Sequence, residues 1–441
     1  MNVDYQDWLK RKGLEYVDGV LHIGGTNTIE LAEKYGTPLY VINEKLIRQR
    51  YHQLKEMLDR EYEDNDIHFA VKSNSNLAIL QILDSESAKF DCTSQGEIYT
   101  CLQAGISPEK LIYTGNMFTN DDFEYALENE VLINLDSISQ LRRLTKIYEE
   151  KGRDKANGII SFRINPEFGA GHHAHTITAG KEIKFGILDE QALEAYSLAK
   201  ELGFTKFGIH THLGSGITDA NDYQEGIEKY LSIIKQLAEE LDIQFEFVDF
   251  GGGMGIPYKP DEEPFETELY TKVVIDPFKE LVETGLIGEP TLKIEPGRFI
   301  SCESTIILTQ INTIKNNSYK WFAGVDAGFN ILIRPTMYGS YHHILVCDNK
   351  KQDITITYDV AGPICESGDI LGEAREFPKL EEEEYLAILD AGAYGYTMSC
   401  PYNSRPRPAE IIIHEGKSYL IRKAETYEDL LKDQQIPEYL K

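Results

Sequence analysis

One lysine interrupts an apolar run in His68-Phe-Ala-Val-Lys72-Ser-Asn74. At the end of a buried strand a lysine is penalised as a cation, which lowers its pKa and frees the amine as a nucleophile toward an aldehyde. Taken alone, a lysine after a strand is more often merely solvated. Four other segments change that weighing: His212-Leu-Gly-Ser215, Gly251-Gly252-Gly253, Glu295-Pro-Gly297-Arg298 and Cys365-Glu366-Ser-Gly-Asp369.

Each brings a distinct chemical capacity. Consecutive glycines allow close backbone approach to an anion and form a nest of N–H groups for phosphate, although a tight turn explains them equally well in isolation. The spacing is neither that of a dinucleotide fingerprint nor that of a phosphate-binding P-loop. Glu295 could face a pyridine nitrogen and keep it protonated, while Arg298 could grip a carboxylate or lie beside a phosphate. His210 and His212 alternate on a strand and so share a face, which raises a metal site. No third ligand of suitable spacing accompanies them, so a ring-stacking imidazole at His212 beside a phosphate-binding Ser215 is the better reading, and no metal is expected. The second histidine cluster, His172, His173 and His175, reads as a solvated Gly-rich loop. An amine, a stacking ring, a phosphate cradle, a carboxylate and a thiol are together the parts needed to hold pyridoxal phosphate.

The chain has 441 residues, enough for two domains with sizeable cores, and 41% hydrophobic residues, which excludes a disordered class. Against 44 Lys and Arg stand 73 Asp and Glu, a formal charge of −29. That field repels nucleic acid and anionic membrane surfaces, so neither is an expected partner. Cysteines 92, 101, 302, 347, 365 and 400 form no CxxC pair. Scattered thiols, a start lacking the features of a signal peptide and the absence of a long apolar stretch predict a cytoplasmic protein.

Over 38–302 short apolar runs (39–42, 68–71, 89–91, 111–113, 132–135, 158–164, 207–210, 245–250, 291–294) alternate with amphipathic segments of helical period. Repeated βα units of this length predict an α/β fold with a (β/α)8 barrel, and the chemical motifs fall just after strands, where barrel sites lie. After 303 strand-like runs follow one another with little helix between. The expectation is a second, mainly antiparallel, β-sandwich-like domain of 1–37 plus 303–441.

Further segments carry a family resemblance: Glu30-Leu-Ala-Glu-Lys-Tyr-Gly-Thr-Pro-Leu-Tyr40, Arg163-Ile-Asn-Pro166, Lys184-Phe-Gly186, Arg334-Pro-Thr-Met-Tyr338, Gly392-Ala-Tyr394 and Tyr402-Asn-Ser-Arg-Pro-Arg-Pro408. Together with the motifs above, over nearly the whole chain, they resemble the pyridoxal-phosphate-dependent decarboxylases of the alanine-racemase-like barrel class, and within them the diaminopimelate decarboxylase family. The resemblance implies Lys72 as the Schiff-base lysine and His212 stacked on the cofactor ring. It further implies Ser215, Gly251, Gly252, Gly253, Gly297 and Tyr394 around the phosphate, and Glu295 at the pyridinium nitrogen. It implies a homodimer with shared sites, in which Cys365 from the partner subunit protonates the carbon that loses CO2.

The implied reaction is meso-2,6-diaminopimelate to L-lysine and CO2. Such a substrate carries an amino-acid group at each end, so the distal pocket must hold a carboxylate and an ammonium together. Arg298, Arg334, Tyr338 and Tyr394 suit the carboxylate, and Glu366 the ammonium. A related decarboxylase acting on another amino acid or a carboxylated polyamine is the alternative. A racemase is disfavoured by Glu295, where those enzymes use arginine, and a non-catalytic homologue by the presence of Lys72, Glu295 and Cys365. Lys72-Ser73-Asn74 replaces the family's commoner Lys-Ala-Asn, and the 168–180 loop and Ser399-Cys400-Pro401 also depart from it.

Overall fold

The computed structural model describes residues 5–171, 179–180, 182–350 and 355–441, so the histidines at 172, 173 and 175 lie outside the described residues. The chain divides into two compact units, one of Arg48–Pro257 and Glu263–Ile300, the other of Met1–Ile47, Tyr258–Glu262 and Ser301–Lys441.

In the first unit eight parallel strands close on themselves: β1 (Asn65–Ala70), β2 (Lys89–Cys92), β3 (Leu111–Thr114), β4 (Leu132–Leu135), β5 (Ile159–Asn165), β6 (Lys206–Thr211), β7 (Phe245–Asp249) and β8 (Thr291–Ile294). β8 pairs with β1 and β4 with β5, which completes the barrel. Helices fill the connections, each set by local chemistry. Over Ile138–Glu150, for example, the Ser137 hydroxyl accepts from the Gln140 N–H at the N-terminus, and Leu141, Leu144, Ile147 and Tyr148 are buried on one face.

Strand alternation sorts the side chains. Phe69, Phe90, Ile112, Phe162, Ile209, Val248 and Leu292 are buried apolar positions. The residues between them, Asp91, Asn134, Ser161, His210 and Asp249, are also buried but polar, and paired strands bring His210 level with both Arg163 and Asp249. Barrel interiors are usually filled by branched apolar residues. This one concentrates polar groups at the C-terminal ends of its strands.

Leu39–Asn43, the first of the strands expected in the barrel, belongs instead to the second unit. It lies between Thr305–Asn316, antiparallel, and Ala409–His414, parallel, in a nine-stranded and mainly antiparallel sheet. An apolar run buried at every position reads alike in a barrel and in a sheet covered on both faces. Here Leu39 and Val41 join Ile306, Leu308 and Ile411 in one core, while Tyr40 joins Ile307 and Ile388 in another. A one-residue slip would exchange those two sets, so packing on both faces fixes the register.

Candidate active site

Lys72 follows β1 on a short turn, Val71–Ser73, with its side chain 36% accessible. Its Nζ donates to Asp91 Oδ2 at 2.7 Å. Asp91 lies near the end of β2 and is fully buried; burial and the nearby charge of Glu295 push its pKa up to about 7, against the pull of Lys72. Sequence reasoning missed this partner. Only closure of the sheet, which sets Ala70 beside Asp91, reveals it.

Glu295 follows β8 with a wholly buried carboxylate. Thr114 donates to its Oε1 at 3.2 Å, and Thr114 accepts in turn from Asn134 Nδ2 at 2.8 Å. His210 Nε2 lies 3.1 Å from Glu295 Oε2. Burial works against a charge here, yet the hydrogen bond and attraction from His210, with Lys72 adding to it, hold the carboxyl well below its usual range. Asp249 behaves oppositely: burial, reinforced by Glu295, pushes it well up, although the Gly251 N–H donates to its Oδ1 at 2.8 Å. Among Asp91, Asp249 and Glu295, the environment favours the anion most strongly at Glu295.

Donor atoms of His210, Asp249 and Glu295 all lie within 4.8 Å of one another. The third donor that His210 lacked in the sequence is therefore supplied by the fold, and His212 is not part of that cluster. His212 instead turns its Nδ1 to accept from the Gly252 N–H at 3.0 Å, and burial drives its pKa well down, so the imidazole is neutral. A neutral ring anchored through one nitrogen presents a fixed flat face.

The glycine nest differs from expectation. The Gly251 and Gly252 amides are already taken by Asp249 and His212, which leaves Gly253 as the member of the three whose N–H can serve an outside anion. The glycines are still required. At Gly252 a Cβ would run into the Glu295 carbonyl oxygen, and Gly251 and Gly253 hold φ of +66° and +111°. Beside them Arg298 Nη2 donates to Ser215 Oγ at 3.1 Å, which adds a positive charge next to the predicted phosphate ligand. At Gly297 a Cβ would meet Ser73 Cβ at 3.0 Å and Ala70 Cβ at 3.1 Å, so the backbone there passes close to the lysine turn.

In the sheet unit, Arg334 is buried at the start of the short helix Arg334–Tyr338. Its guanidinium lies 5.9 Å from the ring centroids of both Tyr338 and Tyr394 and donates to Ser340 Oγ at 3.2 Å. Its Nε is buried with no partner among the described residues. Tyr394 holds φ of +59°, a left-handed backbone that a bulky residue rarely adopts. Cys365 and Glu366 form a separate exposed group: Asn403 Nδ2 donates to Cys365 Sγ at 3.2 Å and Tyr402 donates to Glu366 Oε1 at 2.6 Å. Asp369 is a brace, accepting from the Phe329 and Ile364 amides at 2.6 and 2.7 Å.

Residues 44–302 match the family model of the pyridoxal-dependent decarboxylase, pyridoxal binding domain. Over 95% of the chain and 96% of the relative, the sequence is 47% identical to a diaminopimelate decarboxylase of Methanothermobacter thermautotrophicus. The chain belongs to the diaminopimelate decarboxylase family. Among solved structures, the diaminopimelate decarboxylase of Methanocaldococcus jannaschii is similar with a TM-score of 0.90 and 33% identity, over 98% of this chain and all of that one. The Helicobacter pylori diaminopimelate decarboxylase, complexed with L-lysine, follows with a TM-score of 0.85 and 34% identity, over 92% and 98% of the two chains.

The residues fit the pyridoxal group that a diaminopimelate decarboxylase family member requires. A lysine amine, a carboxylate held ionised and a fixed imidazole face all come from strand ends of the same barrel. Buried polar atoms without partners among the described residues, Asp91 Oδ1 and His210 Nδ1, belong to the same groups. Among the described residues no helix is long and apolar enough to cross a membrane.

Proposed function

We propose that the protein decarboxylates meso-2,6-diaminopimelate to L-lysine and CO2, using pyridoxal 5′-phosphate bound to Lys72. The observation that carries this reading is the barrel constellation of Lys72, Asp91, His210 and Glu295, in a chain nearly half identical to a named diaminopimelate decarboxylase. The lysine in two of the related crystal structures supports the same product. When bound, the cofactor supplies an electron sink for the pair released as CO2 leaves.

The chain's own residues do the rest. Asp91 holds the Lys72 ammonium in place and takes up a proton when the amine must act as a nucleophile. His210 and Thr114 fix Glu295 as an anion, ready to pair with a protonated ring nitrogen. His212, anchored through its Nδ1, would stack on the ring. Ser215, Gly253, Gly297, Arg298 and Tyr394 hold the phosphate, and Gly251 and Gly252 serve chiefly to bring the backbone close.

Arg334, with Tyr338 and Tyr394, recognises the distal carboxylate, and Glu366 the distal ammonium. Cys365 gives its proton to the carbon that has lost CO2. We infer a cytoplasmic homodimer in which each subunit lends Cys365 and Glu366 to the other's site; six free thiols suit that compartment.

Mass-spectrometric product analysis with pyridoxal phosphate tests the substrate. Diaminopimelate, ornithine, arginine and carboxynorspermidine are offered in parallel. Lysine formed from diaminopimelate, with the others untouched, is the expected result. Turnover of another member instead would overturn the substrate and keep the cofactor chemistry.

A further inference from the structure

The segment Tyr402-Asn-Ser-Arg-Pro-Arg-Pro408 has no part in the chemistry above, yet two of its side chains grip the Cys365 loop. Asn403 makes two contacts with one residue: its Oδ1 accepts from the Cys365 backbone N–H at 3.1 Å, and its Nδ2 donates to Cys365 Sγ at 3.2 Å. The first contact settles the amide's orientation. A backbone N–H can only donate, so the oxygen must face it, and the NH2 is left facing sulfur. Asn403 itself holds φ of +56° and its neighbour Ser404 φ of +52°. Asn is among the few residues that adopt this backbone readily, through its short polar side chain.

The surroundings are braced on both sides. Tyr402 donates to Glu366 Oε1 at 2.6 Å and stacks on Phe329, with ring centroids 5.7 Å apart. Phe329 and Ile364 are tied together through the Asp369 carboxylate, and the Cys400 N–H donates to the Asn330 carbonyl at 2.8 Å. The Cys365 loop and the 400–404 segment therefore form one hydrogen-bonded frame.

We propose that Asn403 is the positioning residue of the proton donor, orienting the Cys365 S–H and stabilising the thiolate left behind. This rests on the reading of Cys365 as the group that protonates the decarboxylated carbon. In that step the S–H bond breaks, a C–H bond forms at the carbon that has released CO2, and the electron pair of the S–H bond stays on sulfur. Before the step, Asn403 faces sulfur through its NH2, a group that can donate but not accept, so the single thiol proton has no acceptor in that NH2 and is left for the substrate. After the step, the same N–H faces a full negative charge, and a hydrogen bond to an ion is stronger than one to a neutral group. Sulfur is then reprotonated from water.

The test separates CO2 release from lysine formation in single turnovers of the holoenzyme with diaminopimelate. Asn403→Asp keeps the acceptor for the Cys365 N–H and tolerates the left-handed backbone, but removes the donor to sulfur and adds a charge beside it. Asn403→Gly keeps the backbone and loses both contacts. In both variants CO2 is expected to appear as fast as in the wild type while lysine formation slows about ten- to a hundredfold, the loss of one charge-assisted hydrogen bond. A burst of CO2 ahead of lysine is the signature; a merely structural role would slow both together or raise KM alone. Lysine formation at the wild-type rate in Asn403→Asp would overturn the assignment. Cys365→Ser is the control: if it slows lysine formation and Asn403→Asp does not, only the Asn403 inference falls. If neither variant moves that step, the proton-donor reading of Cys365 falls and takes Asn403 with it.

Discussion

The Nζ of Lys72 and the Oδ2 of Asp91 are 2.7 Å apart, across adjacent strands and at the end of a barrel whose interior is polar. The lysine amine is thus never alone: its proton has a buried neighbour whose own affinity is tuned to neutrality. Asp91 is pushed up to about 7 by burial and by Glu295. Its folded pKa exceeds the ordinary carboxyl value, so this group destabilises the fold increasingly as the pH rises from about 4 toward 7.

A limb near pH 7 is therefore expected in the pH profile of kcat/KM, belonging to Asp91. Asp91→Asn should abolish that limb and lower kcat/KM by about tenfold or more. Steady-state kinetics from pH 5.5 to 9 would check both, and a limb that survives in the variant would remove Asp91 from the proton balance.

Glu295→Gln keeps the shape and the contacts to Thr114 and His210 while removing the charge. The loss of an ion that stabilises a protonated ring should lower kcat by about a hundredfold or more, with the thermal midpoint little changed. Activity and melting curves on the same preparation separate this from unfolding.

Gly252 is constrained by space alone, because a Cβ would collide with the Glu295 carbonyl and reach His212 Cε1 at 3.6 Å. Gly252→Ala should cost about 1–3 kcal/mol of stability and weaken cofactor retention, since it displaces the backbone that carries Glu295. Urea unfolding, with cofactor absorbance followed through dialysis, reads both effects.

In the sheet unit Lys12 is buried between Glu303 at 2.9 Å and Asp390 at 2.7 Å. Lys12→Met removes the cation that two buried carboxyls share and should cost about 3–5 kcal/mol at neutral pH. Burial and Glu303 already push Asp390 up to about 6 against the pull of Lys12. Without Lys12 the Asp390 carboxyl is neutral over a wider range, so the variant's deficit should shrink as the pH falls from 8 toward 5. Paired melts of wild type and variant across that range measure the difference. A deficit independent of pH would mean that lost packing, not charge, is responsible.

Placement within one short segment could be read from the sequence: Lys72, the three glycines and Glu295 each lie just after a barrel strand, as expected. What could not be read depends on closure. Positions 91, 114, 210 and 295 are scattered along the chain and meet only because eight strands form a ring. For the same reason the two alternating histidines looked equivalent, whereas one turns to Glu295 and the other to Gly252. The glycine amides were expected to face an anion together, but two of the three are spent within the protein. Leu39–Asn43 went to the wrong sheet because an unbroken apolar run does not say which pair of faces will cover it. Asn403 gave no signal at all: its role depends on a contact 38 residues away.

The most direct test of the central claim is the fate of meso-diaminopimelate carrying 13C in its carboxyl groups, followed with the purified protein and pyridoxal phosphate. The account predicts one labelled CO2 for each L-lysine, and neither product from Lys72→Ala. Equal turnover by the Lys72→Ala variant, or consumption of diaminopimelate without lysine, would contradict it.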